Sequence, residues 1–104
     1  MFPNRVFLAL GSNIGSWKLN FNKCLSELQS VGKLKAIANI YISKPLGYKD
    51  QNNFFNTAIE LETVLKPIQL IKKIQQIEKK LHKNKMIKNG PRRIDIDIIF
   101  FNSI

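Results

Sequence analysis

The residues of this chain best suited to chemistry are two aspartates two positions apart, Asp95 and Asp97, preceded by Arg92 and Arg93. The run from Ile94 to Phe101 alternates as a β-strand does. Such a strand puts Ile94, Ile96, Ile98 and Phe100 on one face and Asp95, Asp97, Ile99 and Phe101 on the other. Both carboxylates then point the same way, about 6–7 Å apart along the strand. Apolar residues on both faces mark a buried strand, and acids there need compensation by something cationic. One reading is an ion cluster, in which Arg92, Arg93 or nearby lysines neutralise the pair. The other is a Mg²⁺ site, because that ion takes one or two carboxylates together with substrate phosphate oxygens. Arg92 would then stand ready to clamp the same phosphates. The residue types by themselves leave both readings open.

A turn signal, Asn89-Gly90-Pro91, precedes the arginines, and the whole stretch reads Lys88-x-Gly90-Pro91-Arg92-x-x-Asp95-Ile96-Asp97-Ile98-Ile99. This resembles the signature of the 6-hydroxymethyl-7,8-dihydropterin pyrophosphokinases of folate biosynthesis. A second stretch is similar to another motif of that family: Tyr41-x-Ser43-x-Pro45-Leu46-Gly47-x-x-Asp50-Gln51-x-x-Phe54-x-Asn56. The Gly11-Ser12-Asn13 that ends the first apolar run also matches the family's opening.

The resemblance implies transfer of pyrophosphate from ATP, the co-substrate, to the hydroxymethyl group of the dihydropterin, with release of AMP. It implies that Asp95 and Asp97 hold two Mg²⁺ ions and that Arg92 neutralises charge on the transferred group. It places Ser43, Lys44 and Leu46 along the pterin edge, Asn56 as the amide that reads it, and Phe54 as the ring stacked on its face. Gln75, Glu78, Arg92 and Ile98 fall where the family contacts ATP. Without the resemblance, Asn56 reads as a turn cap, Phe54 as a core aromatic, and Gln75 and Glu78 as solvated helix surface. A flat heterocycle rich in donors and acceptors suits one amide with both polarities and one aromatic face.

The elements that must position these residues follow from periodicity. Val6–Leu10 reads as a buried strand and Gly11–Gly15 as a turn. Such a glycine-rich strand-to-helix turn can cradle phosphate, but it lacks the lysine and serine of a P-loop. Ser16 suits the N-cap of a helix over 17–31, whose apolar face is Trp17, Phe21, Cys24, Leu25, Leu28 and Val31, with Gly32 as its stop. Alternation from Leu34 to Ile42 predicts a second strand, with Tyr41 on its opposite face. Residues 44–53 form a loop and 55–63 a half-buried third strand. Pro67 opens a second helix with the stripe Ile68, Leu70, Ile71, Ile74, Ile77 and Leu81. A basic loop over 82–89, whose His82 has no evident partner, leads to the fourth strand. The order β-α-β-β-α-β predicts an α+β, ferredoxin-like fold with one antiparallel sheet and both helices on one face.

With 104 residues and 44% hydrophobic content, the chain reads as one domain over 1–104 with a core of its own. No run has the length of a membrane span, and a strand begins close to the N-terminus. The single cysteine cannot close an internal disulfide, which fits a cytoplasmic protein. The formal net charge is +10, and between Lys72 and Arg93 nine basic residues face one acid, Glu78. That field would attract a polyphosphate or an RNA.

RNA-recognition modules share the topology, but they stack bases on exposed aromatics of the central strands. Here the third strand offers Glu60 and Glu62. The expectation is therefore a monomeric enzyme of small molecules, without nucleic acid or membrane partners. The alternatives are a truncated non-catalytic relative and a basic ferredoxin-like ligand- or RNA-binding module. Members of the family continue beyond this length. Their C-terminal part supplies a histidine and an arginine that grip ATP and a second aromatic against the pterin, and Asn89 stands where an aromatic often precedes Gly-Pro-Arg.

Overall fold

The computed structural model describes residues 3–44, 53–81 and 93–102. Along these run β1 (Asn4–Ser12), α1 (Trp17–Leu28), β2 (Lys33–Ile37), β3 (Tyr41–Ser43), β4 (Phe54–Thr63), α2 (Pro67–Leu81) and β5 (Asp95–Phe101). The sheet order is β2-β4-β1-β5, with β3 also paired to β4, and the pairings among the described strands are antiparallel. This is the expected α+β, ferredoxin-like arrangement. Leu46, His82, Asn89 and Arg92, each assigned a place from the sequence, lie outside the described residues.

Alternate residues of the central strands build the core. Val6, Leu8 and Leu10 of β1 and Ile59 and Leu61 of β4 are buried, as are Ile94 just before β5 and Ile96 within it. Against them pack Phe21, Cys24 and Leu28 of α1 and Leu70, Ile74 and Ile77 of α2. Each fully buried aliphatic side chain contributes about 1.5–3 kcal/mol. Burial pushes the Cys24 thiol up from 9.0 to about 12, with Glu78 and Glu27 acting in the same direction. It is an inert core group, as its place on the helix suggests.

The helix ends have identifiable causes. The Ser16 hydroxyl accepts from the Leu19 amide at 3.3 Å and caps α1. At α2, Pro67 is the first helical residue and the Gln69 side chain accepts from the Lys66 amide at 2.9 Å. Helix α1 ends at Leu28, three residues before the expected boundary at 31. Gly32 is required there by proximity: a Cβ would collide with the Glu62 carbonyl of β4. The neighbouring Thr63 hydroxyl donates to the Val31 carbonyl at 2.6 Å, which fixes that approach.

Four further sequence expectations change. The strand expected over 34–42 is two strands, β2 and β3, on the same side of β4. Between them the Ala38 amide still donates to the Ala58 carbonyl, and the Thr57 hydroxyl donates to the Ala38 carbonyl, each at 2.8 Å. Among the described residues no helix packs on this edge, so Leu34, Ile40 and Ile42 are exposed despite their alternation, as is Ile37. In α2, Ile68 and Ile71 are exposed at 69% and 44% and do not extend the buried stripe. Strand β1 runs on through Gly11 and Ser12, so the turn begins two residues later than expected.

The fourth change concerns β5. Leu8 pairs with Ile98 and Phe7 with Phe100, so Ile99 is an extra, bulged residue. Alternation slips by one beyond it. Phe101 packs on the core while Phe100 turns to the open face, where it meets Phe7 edge-to-face at 6.4 Å. Asp95 and Asp97 precede the bulge and keep their expected side.

Candidate active site

One face of the sheet carries the helices, and the other carries the residues suited to chemistry. Gly11 in β1 pairs with Asn56 of β4 on one side and Asp95 of β5 on the other. In the next row, Ala9 lies between Ala58 and Asp97. The two aspartates therefore share a face, Asp95 half-buried and Asp97 exposed. Asn56 sits two strands away, about 9–10 Å at strand spacing. Glycine and alanines separate the amide from the acids, leaving a low floor between two polar walls.

The amide wall is built by β3. Asn56 Nδ2 donates to Ser43 Oγ at 2.9 Å, to the Phe54 carbonyl at 3.2 Å and to the Tyr41 carbonyl at 3.3 Å. Its two hydrogens are thus engaged, and among the described residues no donor reaches Oδ1. Phe54 is half-buried beside Gly11, and Lys44 is exposed at the end of β3. Between them in sequence, Phe55 faces the helices and stacks on Trp17, with centroids 5.1 Å apart and planes 14° from parallel. That stack anchors the strand segment from which Phe54 and Asn56 project.

At the acidic end, a groove of about 280 Å³ opens between α2 and β5, lined by Ile71, Ile74, Gln75, Glu78, Ile96, Asp97 and Ile98. It gathers Gln75, Glu78 and Ile98 beside Asp97. Among the described residues β5 is the sheet edge, and the Glu78 carboxylate accepts from the outward Ile96 amide at 2.9 Å. Beyond the N-terminal end of β5, an Arg93 Nη lies 3.7 Å from where a Gly15 Cβ would be, and Gly15 has φ +70°. The loop is fixed by buried Asn20, which donates to Ser12 Oγ at 2.9 Å and to the Ile14 carbonyl at 2.8 Å.

The structure thus brings Ser43, Phe54 and Asn56 together at one end, and Asp95, Asp97, Gln75, Glu78 and Ile98 at the other. Sequence reasoning missed the floor of Gly11, Ala9 and Ala58, and the apolar groove wall of Ile71, Ile74 and Ile96. Small residues in a strand carry no signal until the register shows what they lie between.

Comparison with known proteins agrees with the geometry. A family model described as 7,8-dihydro-6-hydroxymethylpterin-pyrophosphokinase matches residues 7–104. The 2-amino-4-hydroxy-6-hydroxymethyldihydropteridine pyrophosphokinase of Bacillus subtilis is 37% identical over 95% of this chain and 60% of its own length. The protein of the same name from Aquifex aeolicus is 36% identical over 92% of this chain and 60% of its own length. The folic acid synthesis protein FOL1 of Dictyostelium discoideum is 39% identical over 97% of this chain and 15% of its own length. The chain spans about three-fifths of the two bacterial relatives. A match of this extent, on a sheet that sets an amide opposite paired carboxylates, makes the chain a member of the 7,8-dihydro-6-hydroxymethylpterin-pyrophosphokinase family.

Proposed function

We propose that this chain takes part in transfer of pyrophosphate from ATP to the hydroxymethyl group of 6-hydroxymethyl-7,8-dihydropterin. The observation that carries the reading is the row Asn56–Gly11–Asp95. It sets a base-reading amide and a carboxylate pair at opposite ends of a small-residue floor. A fused two-ring heterocycle with a one-carbon arm spans such a gap, its polar edge at Asn56 and its hydroxyl at the acids.

In the reaction the hydroxyl oxygen forms a bond to the β-phosphorus of ATP. The bond from that phosphorus to the oxygen bridging to the α-phosphate breaks, AMP leaves with the electron pair, and the hydroxyl proton passes to solvent. Asn56 and Ser43 orient the ring edge, Phe54 covers its face, and Lys44 and Leu46 flank it. The groove of Ile71, Ile74, Gln75, Glu78 and Ile98 suits a purine, whose apolar faces match the isoleucine walls and whose polar edge matches the Gln75 amide. Arg92 grips the transferred phosphates.

Asp95 and Asp97 fit Mg²⁺. Among the described residues, no three His, Cys, Asp or Glu side chains gather into a metal cage. Two carboxylates facing one way are the donor set of an ion that completes its shell with water and phosphate. When bound, two such ions supply charge neutralisation at the attacking and leaving oxygens. The chain's own part is to hold the carboxylates fixed, through Ile94 and Ile96 buried on either side of Asp95.

A nucleic-acid-binding module is the second reading, favoured by Phe7 and Phe100 on the open face with Arg5 5.0 Å over the Phe7 ring. Against it, Arg5 is engaged by Glu60 at 2.6 Å, and Glu62 shares that face, where a phosphate backbone would be repelled. The proposed enzyme works as a cytoplasmic monomer on small molecules. The test is AMP release by the chain, expected only when ATP, Mg²⁺ and the dihydropterin are all present. AMP release that ignores the pterin or the metal would refute the proposal.

A further inference from the structure

Glu78 is the one acid of α2, and it is half-buried. Its carboxylate accepts from the Ile96 amide of β5 at 2.9 Å. A carboxylate that accepts from a backbone amide makes a charge-assisted bond, the stronger class of protein hydrogen bond. The bond excludes the reading of Glu78 as solvated helix surface.

Along a strand, successive residues direct their backbone N–H and C=O groups to opposite sides. With Ile96 directed outward to Glu78, Asp95 and Asp97 direct theirs to β1, opposite Gly11 and Ala9. The backbone between the two carboxylates is therefore held from both sides. Its ladder to β1 is short, since the regular register runs from Asp95 to Ile98 and is broken by the bulge at Ile99. A short ladder at a sheet edge opens locally at low cost, so a hold from the outer side matters most here. That hold has a rigid base. Ile74 and Ile77 bury the same helix in the core, and Ile74 stands about one turn before Glu78.

We infer that Glu78 is a positioning residue, which fixes the edge of β5 through the Ile96 amide so that Asp95 and Asp97 present their carboxylates at one spacing. The inference rests on the functional reading above and deepens it. An ion with short bonds and near-ideal octahedral geometry tolerates little change in the spacing of its carboxylates. Glu78 acts on the metal through the strand, where the resemblance implied a contact with the nucleotide.

The experiment compares the ¹⁵N-labelled parent with Glu78→Gln, which keeps an oxygen acceptor, and with Glu78→Ala, which removes it and suits a helix. Hydrogen exchange of the Ile96 amide is measured in the chain free of metal and nucleotide. Mn²⁺ affinity is measured by EPR with α,β-methylene-ATP present. In Glu78→Ala the Ile96 amide should exchange about tenfold faster or more, as a locally opened edge does. Mn²⁺ affinity should fall about tenfold, the lower end for a group that orients metal ligands. Glu78→Gln should stay close to the parent in both. Should Glu78→Ala fail to fold, Glu78→Asp, one methylene short of the amide, takes its place. Weaker Mn²⁺ binding with unchanged Ile96 exchange would make Glu78 a nucleotide contact and overturn the inference. Faster exchange with parental Mn²⁺ affinity would make the bond structural and overturn it as well. So would a Glu78→Gln chain that fails as the alanine variant does. Each of these leaves the function standing, whereas a parent that binds no Mn²⁺ with the nucleotide overturns both.

Discussion

Asp97 is exposed on the open face while its neighbours Ile96 and Ile98 point towards α2. Its carboxylate can therefore be removed without opening the core. Asp97→Ala is expected to lower the rate of AMP formation by about 10²-fold or more, the scale seen when one charge-stabilising group is lost. The thermal midpoint should not change. Near-parental turnover in the variant would remove Asp97 from the site. At this scale the sequence was informative where a side chain carries charge or a hydrogen-bonding group. The aspartates, Asn56, Ser43 and Phe54 were all legible as candidates. Gly11, Ala9 and Ala58 were not, because a residue whose role is to be small has no signature of its own. The polarity of Asn56 was also hidden, since it depends on the Tyr41 carbonyl and Ser43 hydroxyl of β3, whose register the sequence does not give.

Among the elements, legibility followed the core. Both helices and the buried faces of β1 and β4 alternate or recur because two layers press on them, and their periods are plain. Edge strands have no such pressure. The region 34–42 alternates like one buried strand, yet it divides into β2 and β3 and stays exposed. The alternation of β5 also misleads beyond Ile98, because a bulge at Ile99 exchanges the faces of Phe100 and Phe101.

The end of β5 is then secured by Asn102, at φ 58°. Its backbone amide donates to the Arg5 carbonyl at 2.6 Å and its Oδ1 accepts from the Arg5 amide at 2.8 Å. The crossing from α1 to β2 is equally constrained. Gly32→Ala should cost about 1–3 kcal/mol as the methyl forces β4 aside, measured as a lower urea midpoint with an unchanged slope. A parental midpoint would mean that Gly32 and Glu62 are not as close as described.

For the molecule as a whole, topology came directly from the order of apolar periods, and the ferredoxin-like sheet follows from it. The charge did not explain itself in the same way. The formal +10 suggested an anionic partner without locating one. In the folded chain several of those cations sit in ordinary surface pairs, such as Lys80 with Glu27 at 2.9 Å and Lys35 with Glu62 at 3.9 Å, which contribute little. The sheet instead collects acids at one end of its open face, beside a groove, and an amide at the other.

The central claim is that this acidic end is where metal and phosphate meet. It is tested most directly by titrating Mn²⁺, an EPR-visible substitute for Mg²⁺, into the chain with α,β-methylene-ATP present. The parent is compared with the double variant Asp95→Ala, Asp97→Ala, with circular dichroism as the check on folding. The account predicts nucleotide-dependent Mn²⁺ binding in the parent, weakened at least about tenfold in a folded double variant, as expected when both carboxylate ligands are removed. Parental Mn²⁺ affinity in that variant would contradict it.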